Sequence, residues 1–203
     1  MKLSKVVLAS SNLGKLRELG ELFAPLGVEL LPQSSLGIGD AEEPHPTFVE
    51  NAIAKARHAS RASGLPALAD DSGICVDALG GAPGVHSARW AQLAGGQKSD
   101  AANNARLVDA MAGAADRTAR YVCVLALLRS ADDPQPLIAE GIWGGEVIDA
   151  PRGSGGFGYD PHFWLPELGC TVAELGAERK HALGHRGQAT RALAERLAAL
   201  RLV

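Results

Sequence analysis

Val6-Val7-Leu8-Ala9 runs directly into Ser10-Ser11-Asn12-Leu13-Gly14-Lys15. The first four residues are apolar and rich in β-branched side chains, the pattern of a short buried strand. The polar residues after them read as a loop. From Gly14 the pattern changes period: Leu16, Leu19, Leu22, Phe23 and Leu26 recur at helical spacing, and Pro25 and Gly27 mark the end of the helix. A second strand is expected at 28–31. Strand, helix and strand in this order predict an α/β fold.

The rest of the chain continues the alternation. Residues 32–46 are rich in proline, glycine and acids and read as a loop. A helix should open at Thr47, because Thr47-Phe48-Val49-Glu50 fits the capping box. It should run to about Ser63, stopped by Gly64 and Pro66, with Ala52, Ala56 and Ala59 as a small face for close packing. Strand pieces are expected at 66–69 and 74–76, interrupted by Asp70-Asp71-Ser72-Gly73. A loop at 79–84, a helix over 98–111, a strand over 121–128 and its hairpin partner over 137–148 follow. Glycines cluster in a loop at 153–158, and 162–165 reads as a short strand. From Gly187 onwards a helix should carry Ala189, Leu193, Leu197 and Leu200 on one stripe. No internal repeat or long linker is visible, so 1–203 reads as one α/β domain with room for two lobes.

Composition narrows the function classes. The 203 residues are 46% hydrophobic and 21% charged, ordinary for a globular chain, but 35 are alanine and only 4% are aromatic. The core must therefore use small side chains and closely packed helices. A net charge of −3 argues against a dedicated nucleic-acid binder. Cys75, Cys123 and Cys170 are far apart and form no CxxC pair, so they read as thiols in a reducing compartment. The N-terminal apolar run is too short for a signal peptide, and no stretch approaches membrane-spanning length. A cytoplasmic protein is expected.

Five constellations could carry chemistry. Ser10 to Lys15 lies between a strand and a helix, where free amide groups and the helix dipole suit phosphate; the Walker A pattern is absent. An exposed N-capping loop is the competing explanation. Glu42, Glu43, Asp70 and Asp71 are oxygen donors of the kind magnesium takes, alongside substrate phosphates. In an extended segment Asp70 and Asp71 point to opposite faces, so one is expected at the metal and the other to hold a neighbouring loop. Glu42 alone is better read as solvated. Asn51 and Lys55 lie four apart on one helix face in line with Thr47, where the lysine faces either a cleft or water. Gly153 to Asp160 contains a literal GxGxxG, but Asp160-Pro161-His162-Phe163-Trp164 follows instead of a helix, which excludes the dinucleotide fingerprint. Those glycines would instead admit a flat ligand, with Phe157 or Tyr159 stacked on it; a tight hairpin loop is the plainer alternative. Lys180, His181, His185 and Arg186 form a basic group. His181 and His185 have helical zinc spacing without a third ligand, so donors to a ligand are favoured over metal binding.

Together, and in this order, these segments resemble the inosine/xanthosine triphosphate pyrophosphatases. The resemblance runs through nearly the whole chain. It rests on 6–10 with Asn12 to Lys15, Ala41-Glu42-Glu43, Thr47 to Ala52 with Lys55-Ala56, Ala69 to Gly73, Gly81 to Gly84, Ser87-Ala88-Arg89, Gly155 to Pro161, and His185 to Ala189. It implies an α/β fold with a mixed elongated central sheet, flanking helices and two lobes around a deep substrate cleft, usually as a homodimer. It implies Mg²⁺-dependent hydrolysis of dITP, ITP and XTP to the monophosphate and pyrophosphate, clearing non-standard purines from the nucleotide pool. Carried over by residue, Ser10, Ser11, Asn12, Leu13, Gly14 and Lys15 would line the triphosphate. Glu43 and Asp71 would bind Mg²⁺, with Asp71 also the base that activates water. Ser72 would touch substrate and Lys55 would stabilise phosphate charge. Phe157, Gly158, Tyr159, Asp160, Lys180, His185 and Arg186 would form the base pocket. Lys180 or Arg186, donating to a 6-keto oxygen, would disfavour adenine. Three departures stand out: Ser11 where glycine is usual, Gly184 where serine precedes His-Arg, and His86 where an aromatic is common.

Two alternatives remain distinct. One is a sibling pyrophosphatase for other modified nucleotides; the other is a non-catalytic nucleotide-binding module.

Overall fold

A computed structural model describes residues 2–203. In chain order the elements are β1 Lys5–Leu8, α1 Leu13–Phe23, β2 Glu29–Pro32, α2 Phe48–Ser63, β3 Ala67–Val76, α3 Trp90–Leu93, α4 Asp100–Ala110, β4 Thr118–Leu128, β5 Leu137–Val147, β6 Phe163–Leu165, β7 Cys170–Thr171, α5 Ala177–Leu183 and α6 His185–Ala199. The strands form one seven-stranded sheet in the order β2-β1-β3-β4-β5-β6-β7. The sheet is mixed. β1 runs parallel to β2, with Val6 opposite Leu30, and parallel to β3, with Leu8 opposite Leu68. β6 is antiparallel to β5 and to β7. This is the expected α/β class with flanking helices.

The chain divides into two compact units. The first comprises 1–71, 123–141 and 185–203; the second comprises 72–122 and 142–184. Each has its own apolar core. In the first, Val6, Leu8, Leu19, Phe23, Leu68, Leu125, Leu127, Leu193 and Leu197 pack together. In the second, Ile74, Val76, Leu107, Met111, Tyr121, Tyr159 and Phe163 do so, with the Tyr121 and Phe163 rings stacked at 4.3 Å between centroids.

Local chemistry explains most element ends. Asn12 caps α1 by accepting the Lys15 amide, and α1 passes into a short 3₁₀ turn that Gly27 closes in the left-handed conformation. Thr47 caps α2 at the Glu50 amide. The second half of the expected capping box takes another form, with the Thr47 hydroxyl donating to the Glu50 carboxylate at 2.5 Å. Ala52, Ala56 and Ala59 are fully buried.

Two expectations need correction, and three short elements were not anticipated. Residues 67–76 form one uninterrupted strand, buried on both flanks of Asp70 to Gly73, with Asp70 held by Lys15 and Arg186 and one oxygen of Asp71 held by Lys55. Gly73 keeps this strand close to the following loop: a Cβ there would fall 2.3 Å from the Ser87 hydroxyl. The C-terminal helix begins two residues before Gly187 and ends before Leu200, which is 53% exposed, while Ala189, Leu193 and Leu197 are buried as expected. α3, β7 and α5 had no clear periodic signal; they span only four, two and seven residues.

Candidate active site

β3 positions the two central carboxylates. Its alternation sends adjacent side chains to opposite faces, and Asp70 and Asp71 acquire different partners accordingly. Both are almost fully buried.

Asp70 lies in a charge-balanced line within the first unit. Lys15 of α1 reaches its Oδ1 at 2.6 Å, and Arg186 of α6 reaches its Oδ2 at 2.6 Å. Arg186 also donates to Glu18. The Cys123 thiol sits 3.4 Å from Asp70 Oδ2. Two cations and two anions are thus taken out of water together, the condition under which buried ion pairs are tolerated. Burial raises the Asp70 pKa, but the charges of Arg186 and Lys15 outweigh it and hold the carboxyl well below its usual range. Burial, reinforced by the negative Asp70, pushes the Cys123 thiol up, so it stays protonated.

Asp71 has the opposite balance. Lys55 of α2 donates to Asp71 Oδ1 at 2.7 Å and to Glu43 Oε1 at 2.8 Å. Burial nevertheless wins over the nearby lysines, and the Asp71 pKa is raised. Burial would lower the Lys55 pKa, but Asp71 and Glu43 overcome it and the ammonium is strengthened. Asp71 Oδ2 is buried and has no hydrogen-bond partner among the described residues. Such an orphan acceptor is costly unless a ligand meets it.

The Asp71–Glu43–Lys55 group fits a hard divalent cation. Two carboxylates converge on one point, one carries an unused oxygen, and the group bears one net negative charge that a divalent ion would reverse. Among the described residues no set of three or more His, Cys, Asp and Glu side chains could hold a metal. Asp71 and Glu43 match magnesium's usual protein ligands, one or two carboxylates that leave room for substrate phosphates. Glu42 is exposed, in keeping with a solvated acid. Asn51 instead braces the loop before α2, bonding both the amide and the carbonyl of His45 at 3.0 Å.

The loop at 10–15 is open at the N-terminus of α1. Leu13 is 80% exposed, and Ser11 donates to Asp40 at 2.8 Å. Ser11 does not adopt positive φ, so the position does not require glycine. Ser72 lies half-buried on β3, next to Asp71.

The second unit carries a separate group. Asp160 is buried and receives hydrogen bonds from the Phe157 amide at 2.9 Å, Lys180 Nζ at 2.8 Å and the Tyr121 hydroxyl at 3.0 Å. Burial raises the Asp160 pKa against these donors. Lys180 Nζ stands 4.6 Å from the Phe157 ring centroid, a cation–π distance. Gly156 has φ of +72°, and a Cβ there would fall 2.0 Å from Asp160 Oδ2, so the loop closes on this carboxylate only with glycine. Tyr159 is turned into the core, its hydroxyl bonded to the Ser87 carbonyl at 2.8 Å. Phe157, only half-buried, is therefore the ring this loop presents.

The sequence-derived set is thus divided. Ser10 to Lys15, Glu43, Lys55, Asp71, His185 and Arg186 belong to the first unit; Ser72, Phe157 to Asp160 and Lys180 belong to the second. His185 and Arg186 are buried, and Arg186 sits with Asp70 and Glu18. Glu18, which pairs with Arg186, and Asp100 and Asn104, which bond the Gly158 amide and carbonyl, lie outside the sequence-derived set. Asp100 and Asn104 had a usable signal: both are polar, four apart, on one helical face.

A strand-to-helix loop with open amides, a buried carboxylate with an unpartnered oxygen and a lysine beside it are groups of the kind that a phosphate-bearing ligand and a hard cation take. The sequence model of the Ham1 family matches residues 6–196, and the chain belongs to that family. A dITP/XTP pyrophosphatase of Ralstonia nicotianae is 71% identical over 193 residues, covering 95% of this chain and 96% of that protein. A dITP/XTP pyrophosphatase of Bordetella pertussis is 66% identical, covering 97% and 92%. Among solved structures, a HAM1 protein from Coxiella burnetii superposes with a TM-score of 0.88 at 46% identity, covering 97% of this chain and all of that one. The Staphylococcus aureus Ham1 protein superposes at 0.84 with 37% identity, covering 97% and 99%.

Proposed function

We propose that this chain is a Mg²⁺-dependent nucleoside triphosphate pyrophosphatase that hydrolyses dITP, ITP and XTP to the monophosphate and pyrophosphate. The observation that carries this reading is Asp71: buried, of raised pKa, with one unused oxygen, beside Lys55 and Glu43. The near-full-length identity to proteins named dITP/XTP pyrophosphatase supports it.

Glu43 and Asp71 would hold Mg²⁺, which supplies neutralisation of phosphate charge when bound. The amides at the start of α1, with Lys15, would cradle the triphosphate. Asp71 Oδ2 would take a proton from water as the water oxygen bonds to the α-phosphorus. The bond from that phosphorus to the bridging oxygen breaks, and pyrophosphate leaves. Asp71 Oδ2, which has no donor among the described residues, is the acceptor available for that proton. Lys55 would meet the growing negative charge on the phosphoryl oxygens, since phosphoryl transfer relies chiefly on positioning and electrostatics. In the second unit Phe157 would stack on the purine, and Lys180, fixed by Asp160, would donate to its 6-keto oxygen.

No helix of the described residues is long and apolar enough to cross a membrane. A cytoplasmic homodimer acting on free nucleotides, with neither nucleic acid nor membrane as partner, completes the proposal. A triphosphate panel with separate detection of pyrophosphate and phosphate, with and without chelator, tests it. Pyrophosphate from ITP, dITP and XTP, lost with chelator, is expected. Orthophosphate as the first product would refute the bond assignment. Preference for modified pyrimidine triphosphates would favour the sibling enzyme, and tight binding without turnover a binding module.

A further inference from the structure

We propose that Asp100 and Asn104 are positioning residues that fix the Phe157-Gly158 loop and so govern affinity and selectivity for the base. The proposal rests on the assignment of Phe157 and Lys180 to base recognition made above. Both residues lie on the first turns of α4, four apart and on one face. Asp100 Oδ2 accepts the Gly158 amide at 2.7 Å, and Asn104 Nδ2 donates to the Gly158 carbonyl at 2.9 Å. One helix thus holds both polar groups of a single glycine.

The neighbours of Gly158 are pinned as well. The Phe157 amide is bonded to Asp160, and the Tyr159 hydroxyl is tied to the Ser87 carbonyl. Gly153, Gly155, Gly156 and Gly158 give the unconstrained backbone here a wide conformational choice that the fold must fix. With Gly158 released, the half-buried Phe157 ring would lose its fixed orientation, and a ligand would have to order the loop on binding.

Asn104 is poorly used as a structural residue. Its Oδ1 is buried and has no hydrogen-bond partner among the described residues. Exchanging the amide's oxygen and nitrogen would set two oxygens against each other at Gly158, so the orientation is fixed by the contact it makes. An orphan acceptor weakens the fold. Asp100 is exposed, so its bond to Gly158 adds little to global stability. The pair orders a loop at little benefit to the fold as a whole, as expected of residues that serve a binding site.

The test compares N104A, D100A and D100N with wild type, using ITP and GTP as substrates, thermal melting, and hydrogen exchange of the 153–160 segment. Loss of one hydrogen bond should raise KM for ITP about 5-fold to 10-fold in N104A and D100A. The change in kcat should stay within about 3-fold, and the ITP-over-GTP ratio should fall. Melting should move by no more than about 2 °C, a fraction of a typical point-mutant effect. Exchange at 157 and 158 should accelerate. D100N keeps an acceptor for the Gly158 amide and should restore KM. A fall in melting temperature with KM and the ratio unchanged would make the pair merely structural and overturn the proposal. Accelerated exchange with wild-type KM would show that loop order is irrelevant to the base, and would overturn it equally. Wild-type protein with no turnover on any triphosphate would overturn the pyrophosphatase reading itself; exchange would still report separately whether the clamp exists.

Discussion

Asp70 and Asp71 are neighbours in sequence, both buried, and each faces a lysine, yet the same substitution should have different consequences for stability. In D70N the Arg186 guanidinium loses one of two buried anionic partners and Lys15 loses its anion. Removing one member of a buried pair costs about 3–5 kcal/mol. Arg186 keeps Glu18, and the Lys15 side chain is 15% exposed and can turn to water. The cost should therefore lie near the lower end, about 3 kcal/mol. With a urea slope of about 2 kcal/mol per molar, the midpoint should fall by about 1.5 M. In D71N a carboxylate whose burial is only partly compensated is replaced by a neutral group of the same shape, and Lys55 keeps Glu43. Its midpoint should rise or stay within about 0.5 M of wild type. Urea unfolding followed by far-ultraviolet circular dichroism and tryptophan fluorescence, without divalent cation, measures both. pH adds a second check. The folded pKa of Asp70 is depressed, so its contribution is fully present above the unfolded carboxyl range and is lost as pH falls through the folded value. The gap between D70N and wild type should therefore be constant near neutrality and close only in acid. An equal loss in both variants, or a larger one in D71N, would refute this account of the two carboxylates.

Other outcomes follow from the same geometry. D71N should lower kcat about 10²-fold to 10⁴-fold, the usual worth of a general base, in the pyrophosphate-release assay; near-wild-type turnover would place the base elsewhere. At Gly184 a Cβ would fall 2.5 Å from the Lys180 carbonyl and 3.3 Å from the Trp143 ring. G184S should therefore cost about 1–3 kcal/mol in urea unfolding, and an unchanged midpoint would show that α5 yields freely. L193A should cost about 2–5 kcal/mol because Leu193 is fully buried, whereas L200A should stay within about 0.5 kcal/mol; equal losses would contradict the boundary of α6.

Much of the architecture was legible because it follows local rules. The β-branched run before Ser10, the Thr47 cap and the alanine face of α2 each announce their element through propensity and period. Asp70 to Gly73 misled as an interruption because its composition is that of a turn. The strand continues there because Lys15 and Arg186 pair with Asp70 and Lys55 with one oxygen of Asp71, and those partners lie far away in sequence. Short elements such as α5 escaped because seven residues give too few repeats to establish a period.

The sequence by itself determined the α/β class, the acid and base types of the candidate site, and the rule that Asp70 and Asp71 face apart, since strand alternation needs nothing beyond the backbone. Only the tertiary structure decided which carboxylate keeps a free oxygen, because that depends on which cations converge on it. It placed Arg186 beside Asp70 across 116 residues, turned Tyr159 into the core while leaving Phe157 presented, and set Asp100 and Asn104 on Gly158. Each of these is a pairing between distant segments. Hydrophobic burial chooses such pairings for the molecule as a whole, and local pattern carries no trace of them.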